Sequence, residues 1–267
     1  MNGQGKLLTH FLKNADKLVI PVYQRNYDWK EEHCKKLYSD LVKTVREGKR
    51  WHFFGGIVSV SDPMGSSSDY LVIDGQQRIT TVSLLLLAIA NLVKAGIVTP
   101  KDPNLYDVIT KKYLVDEINP KQRKMKLKPI KGDQDSYDRL WGDPSEYNQS
   151  SRITQNYLYF YNQIQRDDIS VDQLFSAVEK LQIIDIPLTP PDDDPQLVFE
   201  SLNSTGLDLN EGDKIRNFVL MRRSMEEQEQ FYDDYWSPIE KNAGYDKQTN
   251  SYDVSPFIRD YLGIKER

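Results

Sequence analysis

The sequence predicts an α+β protein, with an N-terminal α/β core over residues 1–95 and a mostly helical region over residues 96–267. Three observations lead there. Tyr70 to Ile73 reads as a buried strand, and it runs through Asp74-Gly75-Gln76-Gln77-Arg78 into a helix that is apolar on nearly every side. Phe53 to Val60 reads as a strand just before it. Beyond residue 95 the chain becomes more polar, and residues 154 to 180 carry helical patterning.

Taken in order, residues 5 to 15 suit a short amphipathic helix, and Leu18-Val19-Ile20-Pro21-Val22 an extended segment, because a residue before proline is pushed away from helical geometry. Glu31 to Glu47 predicts a helix with Leu37, Leu41 and Val45 on one face and Gly48 as its stop. Gly55-Gly56 within the following strand allows another backbone to come close. Asp62 to Asp69, rich in Ser and Gly, predicts a hairpin-like loop. From Gln76 to Val93 the apolar positions 79, 82, 86, 89 and 93 keep a stripe while Leu84, Leu85, Leu87 and Ala88 fill the other faces, the mark of a buried helix. Arg123 to Lys128 alternates and suggests a strand with one basic face, read either as a solvated edge strand guarded by lysines or as a phosphate-contacting strip. Leu181 to Leu188 is a short strand, Pro190 to Pro195 a rigid turn, and Gln196 to Leu202 a helix.

Composition excludes several classes. With 39% hydrophobic residues the chain can bury a core, and no run approaches the roughly 20 apolar residues that cross a bilayer. One cysteine, Cys34, forbids an internal disulfide and fits a reducing cytoplasm. Three histidines and one cysteine make a structural zinc cluster improbable, so the expected metal is a hard cation on oxygen ligands, Mg²⁺. A net charge of −5 argues against a general polyanion-binding surface and leaves room only for a local patch.

The chemistry concentrates in three segments. At residues 74 to 78 a strand-to-helix turn presents free backbone N–H groups and a helix dipole, which together attract anions, and adds two carboxamides and a guanidinium. Asp74 as N-cap with Gln77 three residues on is the bland capping-box reading, which leaves Gln76 and Arg78 unexplained. The second segment is Tyr23-Gln24-Arg25-Asn26-Tyr27-Asp28-Trp29, whose aromatics suit either base stacking or core packing. The third is Phe199 to Leu209, leading into a helix around Asp213 to Met221. In it Asn203 and Gly206 suit a tight loop, Asn210 a cap, and Arg216 and Asn217 face either a ligand or solvent.

In order, IPVYQRNYDW, HFFGGIV, VIDGQQRITT and FESLNSTGLDLNEGDKIRN resemble the N-terminal domain of GmrSD-type modification-dependent restriction enzymes, across roughly residues 18 to 221. The resemblance implies a ParB/sulfiredoxin-like core with helical additions, a nucleoside triphosphate (GTP or ATP) bound and hydrolysed with Mg²⁺ at the DGQQR motif, and defence against phage DNA. Carried over residue by residue, Asp74, Gln76, Gln77 and Arg78 become catalytic candidates, with Asp74 also a metal ligand. Gln24, Arg25, Gly75, Asn203, Gly206 and Asp213 become nucleotide-binding candidates. The multidomain members carry a His-Asn-His-type nuclease that this sequence lacks, so the expectation is a nuclease domain elsewhere in a longer protein or a separate partner chain. Two further readings stay open: a non-catalytic sensor of nucleotide or modified DNA, and a nuclease in its own right, disfavoured for want of clustered His, Asp and Glu.

Overall fold

A computed structural model describes residues 2–61, 69–116, 124–166, 169–203, 211–221, 223, 225–246, 251–252 and 254–265. By contact the chain forms two compact units, Met1–Ile20 with Arg25–Asp192, and Pro21–Gln24 with Asp193–Arg267. The division therefore falls at residue 192 and not near residue 95. The reason is that the helices Leu105–Ile109, Arg152–Ile164 and Val171–Val178 pack on the helix Gln76–Lys94 of the sheet domain.

The first unit runs β1 (Gln4–Leu7), α1 (Leu8–Asn14), β2 (Lys17–Val19), α2 (Glu31–Arg46), β3 (His52–Ser61), β4 (Asp69–Asp74) and α3 (Gln76–Lys94). It continues with α4 (Leu105–Ile109), β5 (Val115–Asp116), β6 (Lys124–Met125), β7 (Leu127–Lys128), α5 (Lys131–Arg139), α6 (Arg152–Ile164), α7 (Val171–Val178) and β8 (Leu181–Leu188). Among the described residues β1, β8, β3, β4, β2 and β7 form one mixed sheet in that order. β3 pairs antiparallel with β4 and parallel with β8. β8 thus joins a strand far earlier in the chain, with Leu181 set against His52, and local patterning carries no trace of such a partner.

Local chemistry explains the elements that position the turn. α2 buries Cys34, Leu37, Tyr38, Leu41 and Thr44 at helical spacing, and Gly48 ends it at φ 60°. α3 is buried on all faces, Val82 and Leu84 to Ala90 included. Among the described residues it is the one helix long and apolar enough to cross a membrane, and it forms the centre of the hydrophobic core. The expected helix over 5–15 begins later, because Gln4–Leu7 is taken up by pairing with β8. The basic stretch breaks between β6 and β7 at Lys126, whose ammonium is buried and donates to the carbonyls of Leu12, Lys13 and Lys112 at 3.0–3.2 Å. With its three N–H donors spent on carbonyls, this ammonium has none left for a phosphate. β7 is the sheet edge, as the solvated-edge reading expects, while Lys121 and Arg123 lie outside the described residues.

The second unit contains α8 (Pro195–Asn203), α9 (Glu211–Leu220), α10 (Met225–Phe231), α11 (Ser237–Ala243), the short pair β9 (Tyr245–Asp246) and β10 (Ser251–Tyr252), and α12 (Val254–Lys265). Tyr23 belongs to this unit and lies edge-on to Phe199, ring centroids 5.9 Å apart.

Candidate functional site

The 74–78 turn is built by backbone geometry. Gly75, not Asp74, is the N-cap of α3, at φ 96° and ψ 6°, and no side chain caps the first turn. A Cβ at Gly75 would meet Ile57 Cγ1 at 3.0 Å and the Gly56 carbonyl at 3.1 Å, so the left-handed conformation and the close approach to β3 both demand glycine. This displaces Asp74 from the expected capping box by one residue. With no acidic side chain in the first turn, the positive end of the α3 dipole is left uncompensated by its own helix.

Arg78 projects back along the turn. Its Nη1 donates to the Gly56 carbonyl at 2.8 Å and stands 3.6 Å from Asp74 Oδ2. Its guanidinium lies on Gly55, where a Cβ would come 2.6 Å from Nε. Both side chains keep access to solvent, 30% for Arg78 and 40% for Asp74, so their mutual attraction is weak and either can turn to a ligand. Gln76 is buried. The clefts of about 460 Å³ on this unit, one lined by Trp141, Tyr147 and Tyr161 and one by Lys35 and Arg166, do not include residues 74–78.

Gln77 has a different job. Its Oε1 accepts from the N–H groups of Asp28 and Trp29 at 3.0 and 3.1 Å, and its Nε2 donates to the Asn26 carbonyl at 3.2 Å. One carboxamide thereby ties the segment from Asn26 to Trp29 to the start of α3. Three more residues complete the tie, and two of them, Asp133 and Asn156, lie outside every motif segment. Asp133 Oδ2 accepts from the Tyr27 N–H at 2.6 Å, Thr81 Oγ1 meets the Tyr27 hydroxyl at 2.7 Å, and Asn156 Nδ2 donates to that hydroxyl at 2.9 Å and to the Trp29 carbonyl at 2.6 Å. Burial pushes the Asp133 carboxyl up to about 6, with the Tyr27 N–H pulling the other way. Arg25, exposed, sits one residue before the carbonyl that Gln77 holds.

Two of the three proposed stacking aromatics are core residues. Tyr23 and Tyr27 are buried, and burial drives both phenols well above their ordinary range. Trp29 stays partly exposed and stacks on His33 at 5.3 Å. The His33 Nδ1 accepts from the Lys30 N–H at 3.0 Å, a helix-end contact. His52 stands 3.7 Å from Asp40, and Cys34 is buried with its thiol pushed up to about 12.

In the second unit Gln24 is buried. Asp213 pairs with Arg216 at 2.9 Å, and Arg216 also donates to Glu240 at 3.2 Å. Glu240 in turn accepts from Tyr232 and Trp236, at 2.8 and 2.9 Å. Arg216 and Asn217 are buried, so neither faces solvent. Asn203 ends α8, with its side chain outside the described residues, as are Gly206 and the expected cap Asn210.

These features define a class: an α+β domain whose central helix opens at a glycine-capped, solvent-reachable turn carrying an acid–guanidinium pair. The chain belongs to the GmrSD restriction endonuclease N-terminal domain family, whose profile matches residues 8–220. The match takes in the 74–78 turn together with α8 and α9. It makes the chain a component of a restriction system. No curated protein matches the chain.

Proposed function

We propose that this domain binds and hydrolyses a nucleoside triphosphate, GTP or ATP, and that turnover gates a DNA-cleaving domain or partner chain acting on modified phage DNA in the cytoplasm. The observation that supports this reading is the turn itself. A helix start that no side chain caps, with no acidic residue in its first turn and a reachable guanidinium, is suited to phosphate. Asp74 would repel a bare phosphate, so its place beside Arg78 fits Mg²⁺, which binds through one or two carboxylates plus substrate phosphates. Mg²⁺ when bound supplies charge neutralisation. Asp74 holds it, Arg78 stabilises charge on the terminal phosphate, and Gln76, at the first position of α3, orients water. Gln77 serves by positioning, because its amide is committed to residues 26, 28 and 29.

That commitment favours a second reading, a sensor that binds nucleotide or modified DNA without turnover. Phosphate release across the four triphosphates, with and without modified DNA, separates the two. Under the first reading the wild type releases phosphate, and Arg78→Ala and Asp74→Ala lose at least about 100-fold in rate while nucleotide still binds. A chain that releases no phosphate with any triphosphate and DNA leaves the sensor reading.

A further inference from the structure

The start of β3 turns two large aromatic rings outward. His52 stands 3.7 Å from Asp40 of α2, and the Phe54 ring lies edge-on to Trp29 with centroids 6.4 Å apart. Positions 52 and 54 thus face α2 and the segment leading into it, and the alternate positions, Trp51 and Phe53, face away. They are 54% and 53% exposed, and among the described residues neither ring stacks on another or carries a cation. Phe53 pairs with Gln182 of β8, which sets it on the same face as Ile184, also exposed. Large apolar side chains gathered in water mark a contact surface. Its surroundings are basic. Arg50 precedes Trp51, and the carbonyl of Lys180 accepts from the His52 N–H at 2.9 Å. Among the described residues neither Arg50 nor Lys180 has a carboxylate within 4 Å. The nearest acids in sequence are engaged elsewhere, Glu47 with Lys43 and Lys49 and Glu179 with Lys112.

We propose that this face binds single-stranded DNA, one base stacked on Trp51 and one on Phe53, with Arg50 and Lys180 meeting the phosphates. Two residues of extended chain span about 6–7 Å, about twice the 3.4 Å rise of stacked bases. Neighbouring bases drawn apart therefore reach one ring each. Duplex DNA hides its base faces inside the stack, so only an unpaired strand fits, and stacking of this kind is tolerant of sequence. Charge decides against a purely apolar protein partner, because a guanidinium and an ammonium with no carboxylate of their own call for an anion. The surface is local, as a net charge of −5 requires, and a component of a restriction system works where DNA is at hand.

The test follows the fluorescence anisotropy of a labelled oligothymidylate of about 16 nucleotides. No triphosphate is present, so the result does not depend on the nucleotide reading above. Wild type is compared with Trp51→Leu, Phe53→Leu, Trp51→Tyr and the double variant Arg50→Gln with Lys180→Gln, each also melted alone. Wild type binds the single strand, and binds the duplex formed with oligodeoxyadenylate more weakly. Trp51→Leu and Phe53→Leu each lose about tenfold or more in affinity, whereas Trp51→Tyr, which keeps a ring, retains most of it. All melt as wild type does, because the rings are exposed. Removing both cations makes the slope of log affinity against log salt shallower by about 1.4. The inference is overturned if wild type does not bind the strand, if it binds the duplex as tightly, or if the leucine variants bind like wild type. It is overturned equally if those variants melt well below wild type and Trp51→Tyr loses the same affinity. Leucine variants that alter self-association of the chain and leave DNA binding intact would give this face to a second copy instead.

Discussion

At the scale of single residues, the least expected actor is Asp133. Its carboxylate sits in a nearly dry place because it must meet the Tyr27 N–H, and burial raises its pKa from 3.8 to about 6. A carboxyl whose folded pKa lies above its unfolded value binds its proton more tightly in the folded state. Its contribution to stability is therefore full below about pH 4 and is lost as pH rises through about 6. Two units of pKa correspond to about 3 kcal/mol. An asparagine at this position would keep an oxygen for the Tyr27 N–H and carry no charge. Asp133→Asn should thus match wild type near pH 4 and exceed it by up to about 3 kcal/mol at pH 7, as read from urea denaturation at a series of pH values. A difference between the two proteins that stays flat across that range would show that Asp133 does not titrate there.

At the scale of elements, the turn depends on β3 giving way to α3. Gly55 stands at φ 125°, at the irregularity in pairing with β8, and Arg78 occupies the space a side chain would need. Gly55→Ala should push the guanidinium off the Gly56 carbonyl and lower nucleotide affinity about tenfold or more, the value of one lost charge-assisted contact. Backbone strain alone costs about 1 kcal/mol, and Gly48→Ala supplies that control. Gly48 is also left-handed, at φ 60°, yet nothing lies within 4 Å of its would-be Cβ. Equal nucleotide affinity in the two variants would mean that Arg78's seat on β3 is irrelevant to binding. The same elements show what local pattern can reveal. α2 with its Gly48 stop, β3, β4 and buried α3 follow from periodicity and turn residues within a few positions of one another. The cap of α3 lies one residue from the expected place because the capping-box pattern ignores the φ that only Gly75 can adopt. Asp133 and Asn156 escape such reading because their partner, Tyr27, lies 106 and 129 residues away. The Arg216–Glu240 pair likewise spans 24 residues. Turn chemistry is written locally, whereas buried polar ties are fixed only when distant helices meet.

At the scale of the whole molecule, the two units should be separable in their unfolding, since each has its own buried residues. Cys34 reports on the first of them. It is the chain's one cysteine, fully buried in the sheet-and-helix core, and its thiol is pushed up to about 12 by burial. Only an exposed thiolate attacks a disulfide reagent, so the native thiol should be inert and label only when the first unit opens. The rate of labelling with Ellman's reagent should then rise with urea and give the opening free energy of that unit alone. Trp236, buried in the second unit and bonded to Glu240, belongs to the other half. If the units open independently, Trp236→Phe lowers the stability of the second unit and leaves the urea dependence of Cys34 labelling unchanged. A parallel shift in both would mean that the molecule unfolds as one cooperative body. Added nucleotide distinguishes the cases again. A ligand seated on the 74–78 turn stabilises whatever unit carries it by mass action, about 2.7 kcal/mol at a concentration roughly 100 times its Kd. Slower Cys34 labelling in its presence is the expected outcome, and labelling unchanged by saturating triphosphate would detach nucleotide from the first unit altogether.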